Sequence, residues 1–329
     1  MKICICGGGS LGHVCAGVLA SQNVNEVSVL TGHPDKWSDE VLVNDCEGKE
    51  YRGRLVKVSK EPEDVLEGQD IVLLCLPGYL IEETLIKIKP FVGEAIVGSI
   101  VSSTGFFFFA HNLLGKETKL FGFQRVPYIA RVKEYGKSAN LLGYKNELAV
   151  AIENVENGFE KVLEKLFGTP MTRLDSFYEA SLTNSNPILH TGRLYSMFKG
   201  KEDKVFDHQI LFYKEWTDEA SEIEIKMDEE FFKLLNKLGV KTLPTLLDYY
   251  ESHDAASLTR KIQSIKAFEE ILSPMTVTER GWKADFTSRY FTEDFPYGLR
   301  WIRDLAKENN IAIPTIDYVY EWGISKIHK

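Results

Sequence analysis

Histidine is the side chain best suited to moving protons near neutral pH, and the chain of 329 residues holds seven. One of them, His190, follows the unusual run Asn184-Ser185-Asn186-Pro187-Ile188-Leu189. Asn186 is a residue type that caps helices and Pro187 fits a first helical position, so His190 is expected on the first turn of a helix, held on a rigid element. His13, on the face of the first helix, and His208, His253 and His328, in polar helical or terminal contexts, read as structural or exposed. A second dense stretch, residues 287–301, sets Arg289, Glu293 and Asp294 among aromatics around Pro296. An arginine offers bidentate recognition of a carboxylate, and an aspartate can orient an imidazole and stabilise its charged form. The same stretch reads equally well as a surface turn with an Arg289–Glu293 ion pair.

A third candidate lies at the start. Gly7-Gly8-Gly9-Ser10-Leu11-Gly12 fits G-x-G-x-x-G between a strand and a helix that runs through Ala20. Gly7, Gly9 and Gly12 permit a tight turn, close backbone approach to a pyrophosphate and close helix packing, so this loop, with Ser10 and Leu11, is the expected dinucleotide site. An acid at the end of the second strand would bind the ribose of NAD, but the chain reads Thr31-Gly32-His33-Pro34-Asp35-Lys36. Thr31, His33 and Lys36 could meet a 2′-phosphate, which favours NADP over NAD, and Asp35 is the alternative ribose acid. Leu76 and Pro77 follow the fourth strand where ligands lie in open α/β sheets, and Cys75 beside them reads as a small buried apolar residue.

These residues need elements to hold them. Apolar runs at 2–6, 26–30, 55–58, 70–76, 95–100 and 148–152 read as strands, and their alternation with helical segments predicts parallel pairing in a doubly wound Rossmann-type sheet. After a helix near 156–167, helical spacing dominates at 215–238, 243–252, 256–272, 297–309 and 315–327, with no convincing strand beyond 152. The expectation is an α/β dinucleotide-binding domain over 1–174 and an all-α substrate domain over 175–329. The four phenylalanines at 106–109 read as packing rather than a substrate cage, and Gln124 and Arg125 are available to face a cleft.

Composition bounds the function. With 44% hydrophobic and 26% charged residues the chain reads as soluble and globular, and a net charge of −9 argues against a nucleic-acid or anionic-membrane partner. No apolar run is long enough to span a membrane, and the N-terminus does not read as a signal peptide. All five cysteines (Cys4, Cys6, Cys15, Cys46 and Cys75) fall early, without zinc-ligand pairs or a disulfide pattern, which predicts a reduced cytoplasmic protein. Apolar faces on the last helices would permit a homodimer.

Several motifs together resemble the octopine/nopaline (opine) dehydrogenase family: "ICGGGSLG" at the start, "LLCLPGYL" at the fourth strand, "GFQRVPYIARV" at 122–132, "NPILH" at 186–190 and "RYFTEDFPYGL" at 289–299. The resemblance implies a two-domain enzyme, with its active site in the cleft between the halves, that uses NAD(P)H to join an amino acid to a 2-oxo acid such as pyruvate. It implies that His190 is the catalytic histidine, Asp294 its partner, and Arg289 a ligand of a substrate carboxylate. Asp285 is the alternative partner, and Asn186 would orient substrate or nicotinamide. The turn at Ser102-Ser103-Thr104-Gly105 departs from the glycine-rich turn common in the family. Two other readings stand beside this one: an NAD(P)H-dependent 2-oxo acid reductase of similar plan, and a non-catalytic dinucleotide sensor.

Overall fold

The computed structural model describes residues 1–327, so His328 lies outside the described residues. Contacts divide the chain into two units, Met1–Ser181 and Leu182–Lys329, so the first unit runs past the expected end at 174.

The first unit begins with β1 (Lys2–Cys6), α1 (Ser10–Ala20), β2 (Glu26–Leu30), β3 (Glu40–Asp45), β4 (Glu50–Arg54), β5 (Lys57–Ser59) and β6 (Ile71–Leu74). It continues with α2 (Gly78–Ile88), β7 (Ile96–Ser99), α3 (Phe106–Leu113), β8 (Leu120–Phe123), β9 (Tyr128–Glu134), β10 (Ser138–Tyr144), β11 (Leu148–Glu153), α4 (Phe159–Phe167), β12 (Met171–Arg173) and α5 (Phe177–Ser181). Eight strands form the main sheet in the order β12-β11-β8-β7-β6-β1-β2-β5. Its centre is parallel, with Ile3 opposite Ile71 and Val27, and the four residues of β6 are all buried, as expected where helices cover both faces.

The expected all-parallel pairing fails at one place. β11 runs antiparallel to β8, because the chain between them folds as the β9–β10 pair instead of crossing over through a helix. That pair joins β3 and β4 in a second sheet of order β4-β3-β10-β9, which the sequence reading lacked. Tyr128–Glu134 begins with buried and exposed residues in alternation, a period-2 signal that its charged residues mask. α1 contacts strands of both sheets, which explains why its residues from Gly12 to Ala20 are all buried. Gly17 and Gly53 make this possible, since a Cβ on Gly53 would strike the Gly17 backbone.

The second unit holds α6 (Thr191–Phe198), α7 (Asp218–Leu238), α8 (Leu246–Tyr249), α9 (Ala255–Ser264), β13 (Met275–Thr278), β14 (Gly281–Ala284), α10 (Arg289–Thr292), α11 (Arg300–Glu308) and α12 (Pro314–Ile327). Local chemistry sets several ends. Thr217 caps α7 by accepting from Ala220 N, Gly239 closes it in the left-handed region, and Asp254 and Ser257 form a capping box on α9. Helices dominate as expected, but the unit is not purely α. β13 and β14 make an antiparallel hairpin, which, with the short β12 of the first unit, corrects the expectation of no strand beyond 152. The hairpin strands are four residues each and largely exposed or half-buried, so they carry little apolar periodicity to read. Among the described residues no helix is long and apolar enough to cross a membrane.

Candidate active site

The glycine loop of the first unit is a backbone cradle. Gly7 has φ +128°, which an L side chain rarely adopts, and its Cβ position is blocked by the Cys75 carbonyl and Leu76. A Cβ at Gly12 would collide with the Gly7 carbonyl, so the loop closes tightly on the start of α1. Gly9 differs: nothing lies within 4 Å of its Cβ position, and it precedes α1 with no side chain capping the helix. The free N-terminal amides of an 11-residue helix, approached past an unobstructed glycine, fit the pyrophosphate of a dinucleotide. His13 braces this loop from behind. Its Nε2 accepts from Gly136 N at 2.6 Å, so Nδ1 carries the proton and donates to the Gly9 carbonyl at 2.9 Å. The ring is fully buried and stacks on Trp37 at 4.3 Å, and burial holds it below the ordinary histidine range.

In the second unit, His190 and Asp294 meet although 104 residues separate them: Nδ1 donates to the Asp294 carboxylate at 2.8 Å. His190 is the last residue of a π-helical turn, Ser185–His190, that leads straight into α6. Asp294 immediately precedes a second π-helical turn, Phe295–Leu299, that leads into α11. The two turns touch, a Cβ on Gly298 falling 2.9 Å from Pro187 Cγ. Both side chains are nearly buried, at 14% and 15% exposure, which strengthens the bond while leaving an edge open. On the other side of the ring, Nε2 lies 3.0 Å from the Tyr213 hydroxyl, and Tyr290 packs at 4.9 Å. An imidazole with a carboxylate on one nitrogen and a neutral hydroxyl on the other can accept and return a proton.

Residues 173–327 match the family described as NAD/NADP octopine/nopaline dehydrogenase, alpha-helical domain. The second unit thus carries the helical domain of this family, and the whole chain is similar to octopine dehydrogenases. Residues 3–102 match the ketopantoate reductase PanE/ApbA description. The octopine dehydrogenase of Pecten maximus is 28% identical over 362 residues, covering 100% of this chain and 91% of its own. A solved octopine dehydrogenase structure with NADH and L-arginine matches with a TM-score of 0.91 at 25% identity, covering 100% of this chain and 90% of that one. Another with NADH and pyruvate matches at 0.85 and 25%, with the same coverage.

The other expected site residues fall variously. Asp285 does not reach His190; its carboxylate accepts from Thr287 N at 2.9 Å and Thr287 Oγ1 at 2.6 Å. Arg289 is 83% exposed and pairs with Glu293 at 3.8 Å, the surface ion pair that the sequence left open. Asn186 is exposed and is not the cap. That position belongs to Asn184, whose amide donates to Asp228 at 2.8 Å and to the Pro244 carbonyl at 2.9 Å, while Asp228 also accepts from Leu246 N. The run Asn-Ser-Asn offers two similar candidates, and the π-turn starts two residues earlier than an α-turn on Pro187 would.

At the nucleotide loop, Ser10 Oγ accepts from Val132 N, Leu11 packs on the core and Leu76 abuts Gly7. Pro77 precedes α2. Thr31 is buried beside the Tyr135 hydroxyl at 3.4 Å, whereas His33 and Lys36 are exposed in the following turn. Cys75 is buried, which pushes its thiol up and away from nucleophilic character. Phe106, Phe107 and Phe109 are buried, and Phe108 packs on Phe177 at 5.6 Å. Gln124 donates to the Glu179 carbonyl at 2.7 Å and Arg125 is exposed. His208 and His253 are 58% and 82% exposed. Tyr213 carried no sequence signal, since "HQILFYKEW" has no regular period and forms no long element, and Arg193 reads as an ordinary helix residue.

Proposed function

We propose that the protein is an opine-type dehydrogenase that uses NAD(P)H to join the amino group of an amino acid to the keto carbon of a 2-oxo acid such as pyruvate. The observation that carries the reading is the 2.8 Å His190–Asp294 bond, inside the unit that matches the family's helical domain. Residues 1–181 supply the dinucleotide cradle and residues 182–329 the proton chemistry.

The chain's own groups suit each step. His190 takes a proton from the substrate ammonium, which frees the nitrogen lone pair to attack the keto carbon. The imidazolium, steadied by Asp294, then returns a proton to the carbinolamine hydroxyl, which leaves as water. Bound NAD(P)H supplies the hydride for the resulting C=N carbon, held at Gly7, Gly9, Ser10, Leu11 and Gly12 with Leu76 and Pro77 alongside. Arg289 has the exposure and geometry to receive a substrate carboxylate once it leaves Glu293, and Asn186 the exposure to orient it. Exposed His33 and Lys36 beyond a strand end without an acid favour NADP over NAD, with Thr31 lining the turn. The four buried thiols suit a reducing, cytoplasmic setting, and exposed Tyr318 on α12 suits a homodimer.

The ketopantoate reductase match over 3–102 keeps a second reading in play, reduction of a 2-oxo acid without an amine. Incubating the protein with pyruvate and either NADPH or NADH, with and without an amino-acid pool, separates the two. The opine reading expects cofactor oxidation only when the amine is present, and faster with NADPH. Full-rate oxidation without amine sinks it.

A further inference from the structure

The hydrogen bond between Tyr213 and His190 Nε2 lies on the nitrogen opposite Asp294. Tyr213 is 6% exposed, and its ring stacks on Phe268 at 4.4 Å and on Trp216 at 5.9 Å, with an angle of 2° to the latter. Such a ring has little freedom to withdraw its hydroxyl. The backbone that carries it is clamped as well. Arg193 Nε donates to the Phe212 carbonyl at 3.0 Å and Nη2 to the Glu215 carbonyl at 2.6 Å, while the guanidinium lies 5.2 Å over Trp216. Arg193 is 3% exposed, and burial pulls it down to about 10, with Glu224 and Glu215 opposing that fall. Three residues after His190, it reaches from the same stretch of helix to the same short segment.

We propose that Tyr213, held by Arg193, fixes the His190 ring and relays its proton: its hydroxyl bonds Nε2, the nitrogen that exchanges a proton with substrate. This rests on the opine-dehydrogenase reading for its kinetic consequence but not for its geometry. Because Nδ1–H points at Asp294, Nε2 of the neutral ring carries a lone pair and must accept from the Tyr213 O–H. The substrate's proton therefore reaches Nε2 through the phenol: its oxygen takes that proton as its own passes to Nε2, and it then accepts from Nε2–H. A phenol donates more strongly than it accepts, so Tyr213 favours the neutral ring while Asp294 favours the charged one. Among the described residues, the titratable groups bonded to or packed on the ring include Asp294, Tyr213 and Tyr290; burial pushes both phenols up, so neither ionises in the working range. The two bonds thus hold the ring in the same orientation whichever nitrogen protons it carries.

The test is Tyr213→Phe, which keeps the stacked ring and removes only the oxygen, with Arg193→Lys as a second variant that keeps the charge and loses the fork. In the ligand-free protein labelled with 15N at histidine, the unprotonated Nε2 resonance of His190, assigned by its absence in His190→Gln, should move downfield in Tyr213→Phe. In turnover, kcat should fall about 10-fold with KM little changed, and the acid limb of the kcat/KM profile should move to higher pH. Arg193→Lys should move all three readings the same way by less. An unmoved Nε2 resonance with an unmoved pH profile overturns the proposal. Because the resonance is read without substrate, it decides the role of Tyr213 even if His190→Ala retains full turnover, which would defeat the catalytic reading of the histidine instead.

Discussion

His13 and His190 are both bonded at both ring nitrogens, yet they are different devices. His13 sits between two backbone groups, the Gly9 carbonyl and the Gly136 amide, whose protons do not move. His190 sits between a carboxylate and a phenol, and a bit more than a tenth of its side chain remains exposed. One tautomer satisfies His13 for good, so its ring is a strut. The partners of His190 accommodate either charge state, so its ring can work. The nature of the partners, more than burial or the number of bonds, separates a structural histidine from a chemical one.

The largest expected effect falls on the chemical side. His190→Ala should lower kcat/KM about 10³-fold or more, and Asp294→Asn on the order of 10³-fold, with NADPH binding by fluorescence titration nearly unchanged in both. Equal loss of binding and turnover would put His190 in the same class as His13. The converse comes next. His13→Ala strips partners from a buried amide and carbonyl beneath the glycine loop, so urea melts should show a loss of about 2–3 kcal/mol together with weaker NADPH binding. Burial lowers the His13 proton affinity, so its stabilisation is present above the ordinary histidine value of 6.5 and is lost as pH falls below it. The gap between wild type and His13→Ala should therefore narrow from pH 8 to pH 5, and a constant gap would remove the neutral strut from the account.

The smallest effect concerns what holds the turn beneath His190. Asp228, bonded to Asn184 and Leu246, is pushed up to about 6 by burial. A raised carboxyl contributes stability fully below its ordinary value of 3.8 and loses it as pH rises through about 6, the opposite slope to His13. Asp228→Asn should flatten that slope, with a net change at pH 8 of at most about 2 kcal/mol because one accepting oxygen is lost. A parallel pair of pH–stability curves would contradict it.

The same contrast explains what could be read in the sequence. The nucleotide loop is contiguous, so its glycine spacing, preceding strand and following helix could be checked against one another along the chain. The His190–Asp294 pair joins two stretches about a hundred residues apart, and only the resemblance to a family linked them; spacing left a surface ion pair open, and Asp285 stood as the alternative partner. Tyr213 and Arg193 stayed hidden because their roles come from an irregular segment clamped by carbonyl contacts, which no residue pattern encodes. The second sheet was missed for another reason. Its strands cover α1 with one face and expose the other, so charged residues interrupt the apolar runs that betray buried strands.

Both members of the pair stand at the margin of a π-helical turn, which takes one more residue per hydrogen-bonded loop than an α-turn. Since each helical residue advances the chain by about 100°, removing one residue from either turn would leave a regular helix while swinging everything attached to it to another face. Residue count is thus as much a part of this site as residue identity. A substitution inside either turn meets only the limits of packing, whereas an insertion or deletion there would separate imidazole from carboxylate without touching either.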